Sequence, residues 1–147
     1  MSKEIIRFKN FRFGEKKVSR NEAIIFSDGL LGFEKNKAFA LFEDPENLPF
    51  QWLLSTENSK LGFVLINPLF IWPNYDPKIS CQDIRTLEAS KPEDILMFSI
   101  VTLADDPKEV TANLSGPILI NENNRKAKQL ALIDDRYVTK HKILDAL

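Results

Sequence analysis

The stretch Ala23-Ile24-Ile25-Phe26-Ser27-Asp28-Gly29-Leu30-Leu31-Gly32-Phe33 decides the fold class. Two apolar runs flank Ser27-Asp28-Gly29, and an Asp-Gly pair suits a tight hairpin because both residues tolerate positive φ. The segment predicts two antiparallel strands joined at Asp28-Gly29. The same pattern recurs downstream. Gln51-Trp52-Leu53-Leu54 is separated from Leu61-Gly62-Phe63-Val64-Leu65-Ile66 by a polar segment over 55–60. Pro117-Ile118-Leu119-Ile120 is separated from Gln129-Leu130-Ala131-Leu132-Ile133 by the polar residues 121–128. Both pairs predict hairpins with longer loops. Residues 95–103 are almost continuously apolar and bounded by Pro92 and Pro107, which predicts a central strand buried on both faces.

Helix is scarce by comparison. Ser80 is a good N-cap, Asp83 stands at the capping-box position, and Cys81, Ile84 and Leu87 fall near one face, so one short amphipathic helix is expected over 81–89. The tail from Tyr137 to Leu147 fits a helix aligning Tyr137, His141 and Leu144. It also fits a strand aligning Tyr137, Thr139, His141 and Ile143, with helix preferred near the end. The eight prolines all fall at boundaries or in loops on this reading, where a missing backbone donor does least harm. The sum is a mostly β chain, an antiparallel curled sheet or pseudobarrel of about eight to eleven short strands with one or two short helices.

At 147 residues the chain has the size of one domain, and no repeat, low-complexity tract or linker divides residues 1–147. Hydrophobic residues are 44% and charged residues 28%, which is globular rather than disordered. The net charge of −1 is too balanced for wholesale attraction to nucleic acid or an anionic membrane. The distribution is uneven, however. Residues 1–20 carry seven basic and two acidic side chains, whereas residues 76–111 carry eight acidic and four basic ones, so a polarised molecule is expected. The N-terminal stretch has no apolar core after its charges, and no run approaches the length of a membrane span, which reads as a cytoplasmic protein. The lone Cys81 fits a reducing compartment as a small buried or half-buried apolar residue.

Motifs for catalysis are absent. There is no G-x-S-x-G, no G-x-x-x-x-G-K-[ST], no G-x-G-x-x-G and no H-E-x-x-H, and one Cys with one His cannot build a structural zinc site. His141 lies between Lys140 and Lys142 and reads as a solvated or partly packed residue. The doublets Asp105-Asp106 and Asp134-Asp135 read as turn and cap residues at strand borders. Arg7-Phe8-Lys9-Asn10-Phe11-Arg12-Phe13 interleaves cations with aromatics and could hold single-stranded RNA, but it reads better as a half-buried edge strand. Phe70-Ile71-Trp72-Pro73-Asn74-Tyr75-Asp76 is the better recognition segment, offering rings stiffened by proline, although at least two of those rings are expected in the core.

The order of these segments resembles one bacterial family. The matching features are Ile24-Ile25-Phe26 then Gly29-Leu30-Leu31-Gly32-Phe33-Glu34; Pro49-Phe50-Gln51-Trp52-Leu53-Leu54-Ser55; and Phe63-Val64-Leu65-Ile66-Asn67-Pro68 running into Pro73-Asn74-Tyr75. They continue with Ala112-Asn113-Leu114-Ser115-Gly116-Pro117-Ile118-Leu119-Ile120-Asn121 and with Gln129-Leu130-Ala131-Leu132 followed by Tyr137. Together they resemble the flagellar assembly factor FliW family along nearly the whole chain.

That resemblance implies a monomeric β-rich pseudobarrel with no catalytic activity and no cofactor. It further implies a protein that binds flagellin and the translational regulator CsrA, relieving CsrA repression of flagellin synthesis by partner exchange, without binding nucleic acid or membrane itself. Gly29 is then expected to shape the hairpin, Gly32 to allow a close approach, and Asn113 and Pro117 to bend the chain into a strand. For partner contacts the expected residues are Trp72, Tyr75 and Asp76, with Asp105 and Asp106 as acidic support. The family tends to place an acidic residue just before the tyrosine, where this chain has Asn74 and carries Asp76 after it.

Overall fold

The computed structural model describes residues 4–143, and its main feature is a ring of seven strands. In chain order these are β3 (Ile24–Phe26), β4 (Ala38–Glu43), β5 (Gln51–Ser55), β6 (Gly62–Ile66), β7 (Ile95–Thr102), β9 (Ile118–Asn121) and β10 (Lys126–Gln129). Each pairs antiparallel with the next, with registers such as Leu41↔Leu53, Leu53↔Phe63, Leu65↔Ile100 and Leu96↔Ile120. The ring closes through one parallel pairing, Lys126↔Ile25 and Ala127↔Phe26. Closure leaves no sheet edge among these seven strands, which removes the template that open sheets present for aggregation.

Strand alternation explains the core. Ile24, Phe26, Phe39, Leu53, Leu65, Phe98, Ile118 and Ile120 point into the barrel and form its central cluster, where Phe26 and Phe39 meet edge to face at 5.4 Å. The residues between them point outward, and many of those are apolar too, because other elements cover the outside. The first cover is a separate hairpin of β1 (Ile5–Asn10) and β2 (Gly14–Ser19), which packs Phe8 and Val18 against Ala40, Phe42, Trp52 and Leu54. A second comprises β8 (Thr111–Ala112), β11 (His141–Lys142) and Ile71, which shield Val64, Ile66 and Val101. The third is α1 (Cys81–Thr86) with Leu87, which packs on Leu119 and Leu130. Burial on both faces is why these strands read as continuous apolar runs, each large buried side chain contributing about 1.5–3 kcal/mol.

The two downstream hairpins form as expected, β5 with β6 and β9 with β10, although β10 lies at 126–129, at the start of the run that predicted it. The central strand is β7, which pairs β6 on one side and on the other passes from β9 at Ile95–Phe98 to β8 at Val101 and Thr102. The helix starts where its capping box predicts: Ser80 Oγ accepts from Asp83 N at 3.0 Å, and Asp83 Oδ2 accepts from Ser80 N at 3.3 Å. Four of the eight prolines, at 45, 68, 92 and 107, open short 3-10 turns.

Four expectations change. The Asp28-Gly29 turn exists, Gly29 at φ 71° donating its N–H to Phe26 O at 2.9 Å, but residues 30–33 do not run back as a strand. Gly32 at φ 87° closes a second turn, Phe33 N to Leu30 O at 2.8 Å, and β3 finds its partner only at β4. Two left-handed residues three apart cannot both sit in an extended arm. Close approach also belongs to the other glycine: a Cβ on Gly29 would lie 2.5 Å from Glu34 Cα, whereas one on Gly32 would meet nothing within 4 Å. Cys81 is exposed rather than buried, since at the first helical turn it lies outside the packed face. The tail forms β11 at His141–Lys142, pairing Ala112 and Thr111, instead of a helix through His141, because the exposed edge of β8 supplies its hydrogen bonds. The preference for helix beyond residue 143, including Leu144, lies outside the described residues.

Candidate partner-binding site

Residues 67–76 leave β6 as a tight series of turns. Asn67 Oδ1 accepts from Leu69 N at 3.0 Å to start the 3-10 turn Pro68–Phe70, Trp72 N donates to Pro68 O at 2.9 Å, and Tyr75 N donates to Trp72 O at 2.9 Å. Asn and Pro at these positions fix that geometry through the side-chain acceptor and the preset φ. The result turns Tyr75 inward, at 5% exposure, with its hydroxyl donating to Leu114 O at 2.6 Å. Burial, with Tyr137 and Asp134 beside it, pushes the Tyr75 phenol well above its ordinary pKa, so it remains a neutral donor.

Tyr137 stands at the centre of an aromatic cluster. Its ring meets Tyr75 at 4.6 Å and Trp72 at 5.0 Å, both edge to face, and its hydroxyl accepts from Asp76 N at 3.1 Å. Trp72 is half-buried and also lies 5.7 Å from the His141 ring, so His141 is partly packed on the aromatic cluster. Arg136 lies over the outer face of Tyr137 at 5.0 Å and is held by Asp134 at 2.6 Å. Hydrogen bonds from the Arg136 side chain and backbone hold the Asp134 carboxyl below its ordinary range.

The structure therefore divides the expected contact residues. Trp72 and Asp76 reach the surface from a rigid base, Trp72 in part and Asp76 fully, whereas Tyr75 braces that base from below. Asp105 and Asp106 are exposed on the loop between β7 and β8, where Asp106 Oδ1 accepts from Lys108 N at 3.0 Å to cap the turn Pro107–Glu109. No hydrogen bond or ion pair among the described residues joins that doublet to residues 72–76. Arg136 and Tyr137 as neighbours of Asp76 escape sequence reading, since their meeting depends on a fold-back of about 60 residues. The expected turn at Asn113 forms, its Oδ1 accepting from Ser115 N at 3.1 Å and Gly116 N at 2.8 Å.

On the basic side, Phe8 is buried and Phe13 lies edge-on to Trp52 at 5.1 Å, so residues 7–13 form the expected half-buried strand and its turn. The two charged segments cover different parts of the barrel. The basic hairpin lies over β4 and β5, whereas α1 and Leu87 lie over β9 and β10. Among the described residues no group of three His, Cys, Asp or Glu is disposed to hold a metal, and no helix is long and apolar enough to cross a membrane.

The architecture is a closed seven-strand barrel covered outside by a hairpin, a short helix and an aromatic-braced loop. The FliW protein family model matches residues 7–143. A flagellar assembly factor FliW from Alkaliphilus metalliredigens (strain QYMF) is 38% identical over 136 residues, covering 92% of this chain and 84% of the relative. One from Treponema pallidum (strain Nichols) is 40% identical over 131 residues, covering 89% of this chain and 87% of the relative. A crystal structure of the flagellar assembly factor FliW superposes with a TM-score of 0.86 at 32% identity, covering 93% of this chain and 96% of that one. The chain belongs to the FliW family of flagellar assembly factors.

Proposed function

We propose that this protein is a non-enzymatic, cytoplasmic, monomeric assembly factor that binds flagellin and the translational regulator CsrA, relieving CsrA repression of flagellin synthesis by partner exchange. Membership of the FliW family over residues 7–143 carries the reading. Trp72, Asp76, Asp105 and Asp106 supply contacts, with Tyr75 holding the first two in place. The exposed carboxylates suit a basic partner surface, and if that partner is holding RNA, they weaken its grip by repulsion rather than by occupying the RNA site. Two partners sharing one binder are linked by mass action, since each lowers the free binder available to the other.

The test is a titration of the purified protein with flagellin and with CsrA at moderate salt, repeated with each partner already bound. Both are expected to bind, and saturating flagellin is expected to raise the apparent dissociation constant for CsrA at least about tenfold. Absence of measurable binding to either one removes the partner-exchange function.

A further inference from the structure

A second surface feature lies over β5, β6 and the end of β7, beside the turn of the β1–β2 hairpin. Between the turn at residues 10–14 and the outer faces of β5 and β6 runs a groove of about 320 Å³, whose apolar wall is made by Phe11, Phe13, Trp52 and Leu103. Phe11 is 72% exposed and Leu103 55% exposed, so both present apolar surface to solvent along one groove. Gly62 also lines the groove, where the absence of a side chain leaves room beside Leu54.

The charged residues that line this groove have one sign. Arg12 and Lys60 line it, and no carboxylate does. Residues 7–17 carry five cations and one carboxylate, Glu15. Among the described residues none of Arg7, Lys9, Arg12, Lys16, Lys17 or Lys60 is in an ion pair. Instead Arg12 lies over Trp52 at 5.1 Å, and Lys16 over Phe13 and Phe42 at 5.6 and 5.2 Å. These cations rest on ring faces beside an open apolar groove, poised for anions from outside.

We propose that this groove docks an acidic peptide segment of a partner protein, with an apolar side chain seated against Phe11, Trp52 and Leu103 and flanking carboxylates on Arg12 and Lys60. This goes beyond the function proposed above, because the groove's own charged lining, Arg12 and Lys60, attracts carboxylates, whereas the contacts proposed there are Trp72 and the acidic residues Asp76, Asp105 and Asp106. A peptide fits better than single-stranded nucleic acid. Base stacking needs free ring faces, and here the Trp52 face is occupied by Arg12, the Phe13 face by Lys16, and Phe8 is buried, which leaves Phe11 alone.

The test uses a synthetic twelve-residue peptide of alternating Glu with Phe or Leu, the same peptide with Lys for Glu, and an oligouridylate, each titrated into the isotope-labelled protein. The expected result is amide shifts from the acidic peptide confined to residues 10–16, 52–54, 60–64 and 101–103. Phe11→Ser, at a residue already facing solvent, is expected to weaken binding roughly fivefold. Arg12→Glu with Lys60→Glu is expected to weaken it about tenfold or more and to reverse the preference toward the Lys peptide, with the thermal midpoint of both variants retained. Shifts centred elsewhere, equal binding of the two peptides, tighter binding of the oligouridylate, or no saturation at millimolar peptide would each overturn the proposal.

Discussion

Gly29 shows how much one residue can decide. Its φ of 71° disfavours any side chain, and the backbone of Glu34 lies so close that a Cβ would sit 2.5 Å from Cα and 2.7 Å from O. Backbone cannot swing aside as a side-chain end can. Gly29→Ala is therefore expected to cost about 2–4 kcal/mol in urea unfolding, combining left-handed strain with overpacking. Gly32→Ala, with φ 87° and open space, should cost only about 1 kcal/mol. Equal losses for the two would show that the close approach does not hold. Tyr75 illustrates a different limit at this scale. Its hydroxyl can be read from sequence as a contact or as an internal hydrogen bond, and only Leu114, 39 residues away, decides that it is internal.

Among the elements, α1 was the most legible and also the best isolated for a test, because a capping box is written in local sequence. Its docking is not local: Lys128 Nζ on β10 donates to Asp83 Oδ1 at 2.7 Å, in a pair whose side chains are about one-fifth exposed. Burial raises the Asp83 pKa, but hydrogen bonds from Lys128 and Ser80 and the Lys128 charge outweigh it and hold the carboxyl below its ordinary 3.8. A carboxyl depressed in the folded state adds stability that is complete above its unfolded pKa and is lost as pH falls through the folded value. Asp83→Asn is expected to lower stability by about 1 kcal/mol at pH 7, and the gap to the parent should close as pH drops from 5 toward 2. An unchanged gap across that range would remove Asp83 as the responsible group.

The strands were legible to different degrees for identifiable reasons. β5, β6 and β9 carry Trp, Val, Ile and Leu between polar loops, a strong strand signature. By contrast, β4, with the sequence Ala-Phe-Ala-Leu-Phe-Glu, has no β-branched residue and no turn signal near enough to join it to β3. The apolar residues 30–33 imitate that missing partner in sequence, but Gly29 and Gly32 hold them in turns. Of the groove beside Trp52 only one wall was legible, as the interleaved cations and rings of residues 7–13. The groove requires β1, β5, β6 and the end of β7 to converge, and Arg12 and Trp52 lie 40 residues apart.

For the molecule as a whole, the charge asymmetry read from sequence becomes spatial. The β1–β2 hairpin, which bears the N-terminal cations, lies over β4 and β5, while α1 and Leu87, from the acidic segment, pack on Leu119 and Leu130. Closure depends on one short parallel junction, Ile25 and Phe26 against Lys126 and Ala127, reinforced by Leu31 N donating to Gln129 Oε1 at 3.0 Å across 98 residues. A chain stopped at residue 125 lacks that junction. It is expected to lose the cooperative thermal transition by circular dichroism, whereas retention of a single sharp transition would mean that six strands suffice. Such long-range pairing also places the protein among slower-folding topologies.

The junction has a bearing on synthesis. A nascent chain emerges from the ribosome with β3 made early and β10 about a hundred residues later. At roughly 5–20 residues per second, β3 waits for several seconds with one flank unpaired. Throughout that interval the β1–β2 hairpin, which is local and complete by residue 19, is already available to pack on β4 and β5 as they appear. The order of emergence thus covers the outer side of the first strands before the barrel can shut, and leaves the flank of β3 as the surface through which two unfinished chains could pair.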